Sequence, residues 1–169
     1  MTVSPEDDTL TFMDEPELKA EEHKGRLSPW EVLVVDDDSD VHSVTTLALA
    51  SWSYQGRKLS FDHATSGSEA ISILLKKNDY AVILLDVVME SELAGLEVAD
   101  FLRRQLRNHQ TQIILRTGHP GTISEHEAAT QYGCNFYEPK SYVTAGRLRS
   151  VMASALSGYN SAITSVSER

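Results

Sequence analysis

The sequence predicts an α/β fold built on a parallel sheet with helices on both faces, and two observations carry that prediction. Short unbroken apolar runs, Val32 to Val35 and Ala81 to Leu85, stop abruptly at aspartate, and such runs belong to strands buried on both faces. Between the apolar runs lie amphipathic stretches with helix-start signals, so that a strand–helix unit recurs five times. Repetition of that unit calls for parallel strands joined by right-handed crossovers. With 169 residues, 41% hydrophobic and 24% charged, the chain can bury roughly 70% of its unfolded surface without a disulfide or structural metal.

Residues 1–29 carry eight acidic and three basic residues, half of the net charge of −10. Too polar to offset its ordering entropy, this segment is expected to be a mobile acidic leader ending at Ser28-Pro29. The first strand follows, and Asp38 or Ser39 caps a helix whose apolar face reads Val41, Val44, Leu47 and Ala48. Leu59 to Ala64 is the second strand. Ser66-Gly67-Ser68-Glu69 opens the next helix as a capping box, in which Ser accepts from a backbone N–H and Glu reaches back to another. The third strand ends at Asp86, and the helix after it carries Leu96, Ala99, Leu102 and Leu106. Gln112 to Leu115 is the fourth strand, Ser124 to Glu127 a second capping box, and Asn135 to Glu138 the fifth strand. A last helix begins near Thr144 and runs past Tyr159, with Leu148, Met152, Ala155, Tyr159, Ala162 and Val166 at alternating spacings of four and three. That period suits helix pairing. Its first half must face the sheet, so residues 30–158 are expected to form the domain. Residues 159–169 would extend it as helix or linker toward an output module beyond Arg169.

The acidic balance excludes direct nucleic-acid binding, which needs clustered bases. No stretch approaches the ~20 apolar residues of a membrane span and no secretory signal is present, so a cytoplasmic protein is expected. The lone Cys134 suits a reducing compartment. The histidines at 23, 42, 63, 109, 119 and 126 show no metal-ligand spacing.

In open α/β sheets ligands bind beyond the carboxyl ends of the strands. Here those ends are Asp36-Asp37-Asp38, Asp86, Arg116-Thr117 and Glu138-Pro139-Lys140. Each alone has an ordinary structural reading as a helix cap or solvated side chain. Together, from four strand ends, they assemble ligands for a hard cation and a phosphoryl group. Crowded carboxylates repel, and Mg²⁺, which takes octahedral oxygen ligands and keeps an open face, relieves the repulsion. Asp86 could then attack phosphorus while Mg²⁺, Lys140 and the Thr117 hydroxyl neutralise the phosphoryl oxygens, giving an acyl phosphate.

These residues resemble a known family. Val-Val-Asp-Asp at 34–37, Leu-Leu-Asp-Val-Val-Met at 84–89, Leu-Arg-Thr-Gly at 115–118 and Lys140 are similar to the receiver domain of bacterial two-component response regulators, over about Trp30 to Gly158. The resemblance implies a flavodoxin-like, doubly wound five-stranded sheet of order 2-1-3-4-5. It implies Asp86 as phosphoacceptor, Asp37 as direct metal ligand, Asp36 as holder of metal-bound water and the Val88 backbone carbonyl as a further ligand. Thr117 and Lys140 would contact the phosphoryl group, and Tyr137 would follow Thr117 as a switch. Val88 and His119 match positions that tune phosphate lifetime. Implied partners are a sensor histidine kinase or phosphotransfer protein, a second copy of the chain on phosphorylation, and a fused output domain.

The pattern departs from the family in two places. Glu90 stands where Pro usually follows the Met, with Gly95 nine rather than eight residues after Asp86, and Ser141 replaces the Pro that usually follows Lys140. These departures, Trp30, the long Tyr54-Gln55-Gly56-Arg57 connection and Arg-Thr-Gly-His-Pro-Gly at 116–121 resemble a subgroup that precedes larger cytoplasmic signalling proteins. Some of those carry cyclic-dinucleotide modules, but neither a GGDEF string nor a His-Asp metal motif occurs here. Two rivals remain. An aspartate-nucleophile phosphohydrolase of the haloacid-dehalogenase type needs an acid where Val88 stands, and a docking receiver that is never phosphorylated would have lost an acidic-pocket residue.

Overall fold

The computed structural model describes residues 27–167 apart from Pro120 and Val143, so the predicted leader up to residue 26 lies outside the described residues. In chain order the elements are β1 (Trp30–Val35), α1 (Ser39–Leu49), β2 (Ser53–Tyr54), β3 (Arg57–Ala64), α2 (Gly67–Lys76) and β4 (Val82–Asp86). There follow α3 (Ala94–Asp100), continued by a π-helical turn (Phe101–Gln105), β5 (Gln112–Thr117), α4 (Glu125–Tyr132), β6 (Phe136–Pro139), a 3-10 turn (Lys140–Tyr142) and α5 (Ala145–Ser167).

The sheet order is β2-β3-β1-β4-β5-β6. Its five parallel strands keep the predicted order, and the sixth is a two-residue edge strand, β2, antiparallel to β3. Gln55 (φ 50°) and Gly56 (φ 74°) both take the left-handed conformation, as a two-residue hairpin turn requires. The segment read from sequence as a long connection is therefore a hairpin; Gln-Gly is a weaker signal for it than Asn-Gly.

Strand side chains alternate between two cores, which is why the runs are apolar throughout. Leu33, Val35, Ile83, Leu85, Ile113 and Leu115 face α2, α3 and α4, while Val32, Val34, Val82, Leu84 and Ile114 face α1 and α5. Both capping Ser side chains work as predicted: Ser66 Oγ accepts from the Glu69 N–H and Ser124 Oγ from the Glu127 N–H, each at 3.1 Å. Glu69 turns not to Ser66 but to Thr65, accepting from its N–H at 2.6 Å and its hydroxyl at 2.9 Å.

The predicted buried face of α1 is corrected. His42, Thr45 and Leu49 are buried, while Val44 and Leu47 are 66% and 78% exposed. Polar residues occupy the inner face because the sheet supplies their partners, the Asp36 carbonyl for His42 and the Arg116 guanidinium for Thr45, so their burial leaves no group unsatisfied. On α5, Leu148, Met152 and Ala155 are buried as expected. Tyr159, placed by the sequence outside the domain edge, packs edge-on against Trp30 at 6.3 Å between ring centroids, and Asn160 donates to Gln55. No helix among the described residues is long and apolar enough to cross a membrane.

Candidate functional site

The site lies at the carboxyl ends of β1, β4, β5 and β6. Parallel pairing of β1 with β4 puts Val35 beside Leu85, so that Asp36 and Asp86 emerge side by side. One carboxylate oxygen from each of Asp36, Asp37 and Asp86 lies within 4.8 Å of the others. Asp36 and Asp86 are buried, whereas Asp37 is exposed. Asp36 is oriented through its Oδ1, which accepts from the Asp38 N–H at 3.0 Å, and Asp38 in turn caps α1 through the Asp40 N–H. The acidic run thus starts a helix and also gathers carboxylates that could hold a cation.

Lys140, in the turn after β6, bridges Asp36 Oδ2 and Asp86 Oδ2 at 2.8 Å each. Burial pushes the Asp86 pKa up, and the pull of Lys140 does not cancel it because Asp36 and Asp37 push the same way as burial. Burial works against the Lys140 ammonium, yet its bonds to Asp36 and Asp86 prevail and raise its pKa. The two directions agree once one cation is seen to serve several carboxylates. The site therefore gains from further positive charge. Its donors are all hard oxygens, three of them close together with an exposed side, which fits Mg²⁺.

Thr117 is buried at the end of β5, its hydroxyl donating to the His119 carbonyl at 3.1 Å and accepting from the His119 N–H at 3.2 Å. The His119 side chain is exposed, Val88 is half-buried, and the half-buried Tyr137 donates its hydroxyl to the Ile123 carbonyl at 3.1 Å. Gly95, in the first turn of α3, lies directly against the backbone of Asp86. A Cβ there would overlap the Asp86 carbonyl oxygen and crowd the Val87 Cα.

The sequence did not reveal that two histidines pack beside the site. His42 Nε2 donates to the Asp36 carbonyl at 2.7 Å, and His42 Nδ1 meets His63 Nδ1 at 2.8 Å. A carbonyl only accepts, so Nε2 of His42 carries hydrogen, and in the neutral pair His63 donates through Nδ1. These histidines are 21 residues apart, and the packing of α1 over the end of β3 brings them together. Arg116 stands in register between Asp86 and Glu138. It is 8% exposed and donates to Thr45 Oγ1 at 3.1 Å, while its Nε has no hydrogen-bond partner among the described residues. Glu90 reaches across to the start of α2.

Comparison with known proteins finds relatives of this chain and of its fold. The response regulator receiver domain family matches residues 32–152. The 3′3′-cGAMP-specific phosphodiesterase 2 of Vibrio cholerae serotype O1 is 39% identical over 131 residues, 78% of this chain and 25% of that protein. The chain thus spans about a quarter of the length of that curated relative. Among solved structures, an adenylate cyclase from Rhodopirellula baltica aligns with TM-score 0.67 at 21% identity, over 83% of this chain and 96% of that one. A CheY-like receiver domain protein from Methanospirillum hungatei JF-1 aligns with TM-score 0.61 at 19% identity, over 79% and 98%. At these identities the solved structures speak for the fold.

Proposed function

The chain belongs to the response regulator receiver domain family, and from that membership we propose that it takes one phosphoryl group on Asp86 from a sensor histidine kinase or phosphotransfer protein. The observation that carries this reading is the convergence of Asp36, Asp37, Asp86 and Lys140 at one rim, with a single ammonium shared between two buried carboxylates. An Asp86 carboxylate oxygen forms the new bond to phosphorus as the bond from phosphorus to the donor's imidazole nitrogen breaks. Asp37, Asp36 and Asp86, with the Val88 carbonyl, would hold Mg²⁺, which when bound neutralises phosphoryl oxygens. Lys140 can follow the charge from the carboxylate to the phosphoryl group, and the Thr117 hydroxyl can exchange the His119 carbonyl for a phosphoryl oxygen.

That exchange is the switch. As Thr117 moves, Tyr137 leaves the Ile123 carbonyl and turns inward, altering the face formed by α4, β6 and α5 and favouring association of two copies. Beyond self-phosphorylation and slow loss of the phosphoryl group, tuned by Val88 and His119, the chain itself is not an enzyme. It regulates a larger cytoplasmic signalling protein, on the pattern of the phosphodiesterase it resembles, without direct contact to nucleic acid or membrane. Incubation with a small phosphodonor and Mg²⁺ followed by mass spectrometry tests the assignment. One phosphoryl group is expected on the native chain and none on Asp86→Asn. A phosphorylated Asp86→Asn protein, or incorporation that survives EDTA, overturns it.

A further inference from the structure

The connection from β4 to α3 is anchored at two points. At its start the Gly95 N–H donates to the Val87 carbonyl at 3.0 Å, tying it to α3. Three residues on, Glu90 reaches to α2: its Oε2 accepts from the Gly67 N–H and its Oε1 from the Ser68 N–H, both at 3.0 Å. Those are the first two amides of α2, which have no carbonyl partner inside the helix, and a carboxylate there also meets the positive end of the helix dipole. The third amide, Glu69 N–H, is taken by Ser66. The seat is shaped to the carboxylate, since a Cβ at Gly67 would lie 3.0 Å from Glu90 Oε1 and 3.1 Å from the Ala94 carbonyl oxygen. Only Val88 and Met89 lie between the two anchors, and the Val88 carbonyl is the backbone ligand of the proposed cation site.

We infer that Glu90 is a positioning residue for the phosphorylation site, holding the 88–89 segment through α2 so that the Val88 carbonyl is presented to the cation before it arrives. The inference rests on the reading of the rim as a Mg²⁺-dependent phosphoacceptor. It gives a physical role to the departure at this position: where the family has the rigid ring of Pro, this longer loop has a side-chain tether. Without the tether the cation must order the segment as it binds, and affinity falls in proportion to the lost population of the competent loop. Partners that orient first ligands in this way typically contribute roughly 10–100-fold to metal affinity.

The test is calorimetric titration of the full chain with Mg²⁺, paired with the Mg²⁺ dependence of phosphorylation by a small phosphodonor. Glu90→Ala is expected to weaken Mg²⁺ about tenfold and to shift the half-maximal Mg²⁺ by the same factor, leaving the rate at saturating Mg²⁺ near that of the native chain. Glu92→Ala removes the same charge from the same loop but no helix contact, and should stay within about twofold, since an exposed charge acts weakly in salt. Gly67→Ala, which pushes on the tether from the helix side, should weaken Mg²⁺ in the same direction and serves if Glu90→Ala fails to fold. A purely structural role for Glu90 would lower the melting temperature at unchanged Mg²⁺ affinity, and that result overturns the inference. So does an equal loss in Glu92→Ala. If the native chain binds no Mg²⁺, or Asp37→Asn binds it unchanged, the reading of the rim itself fails.

Discussion

Replacing Lys140 with Met keeps most of its aliphatic length but removes the ammonium from between Asp36 and Asp86. Their side chains are 2% and 4% exposed and each is held at 2.8 Å, so two carboxylates are left facing each other with little water. Removing one partner of a buried ion pair costs about 3–5 kcal/mol. Lys140 is itself 22% exposed, and water admitted at its place points to the lower end, about 3 kcal/mol. For a domain of this size that is a fall of roughly 10 °C in Tm. Urea unfolding followed through the buried Trp30, at neutral pH in EDTA, measures it directly. Saturating Mg²⁺ should restore most of the loss, because a cation bound only by the folded state stabilises it by mass action. Asp86→Asn combined with Lys140→Met should lose at least about 1 kcal/mol less than Lys140→Met alone, as coupled neighbours do. A loss below about 1 kcal/mol in EDTA, or an equal loss with and without Mg²⁺, would refute the claim that this one ammonium relieves the repulsion between the two buried carboxylates.

Three further outcomes are expected. Val88 offers no group to orient water, so His119→Ala should lengthen the life of the acyl phosphate on the order of tenfold, and unchanged decay of the labelled protein would remove His119 from the site. The Asp62 pKa is lowered below 3.8, first by the Tyr80 hydroxyl and then by Lys77, so its contribution to stability is present above pH 3.8 and lost as pH falls through the folded value. Asp62→Asn should therefore flatten the acid limb of the unfolding curve and leave its neutral shape unchanged. Burial pushes the Cys134 thiol up to about 12, so alkylation of the native chain at pH ~8 should be at least about 100-fold slower than in urea.

The sequence carries the strand core and the rim clearly because both obey one rule: a strand buried on both faces is apolar until it ends, and the chemistry begins where the apolar run stops. Asp36 and Asp86 can be found that way without knowing any contact, whereas Thr117 comes one residue after the run has stopped at Arg116, and Lys140 follows Phe136–Pro139, which is no apolar run. What it hides are polar groups buried by partners far along the chain. The inner face of α1 could not be read from periodicity, since His42 and Thr45 are inside only because Asp36 and Arg116 receive them. The pairing of His42 with His63 depends on how α1 packs over β3, which no spacing reveals. Glu90 was visible as a departure from the family, but its bonds to Gly67 and Ser68 depend on where α2 begins relative to the β4 loop.

Gly95 has no side chain, and that absence has a consequence for how the sequence can vary. With no compressible atoms between the first turn of α3 and the Asp86 carbonyl, the two backbones move as meshed parts without play, and no neighbouring substitution can make room for a methyl group there. A library randomised from 90 to 96 and sorted for folded protein should show one column frozen at glycine beside the freely varying exposed positions 91–93. Position 95 is thus selected for what it leaves out, and a drifting lineage could lose every ionisable group of the rim and still be held to this glycine.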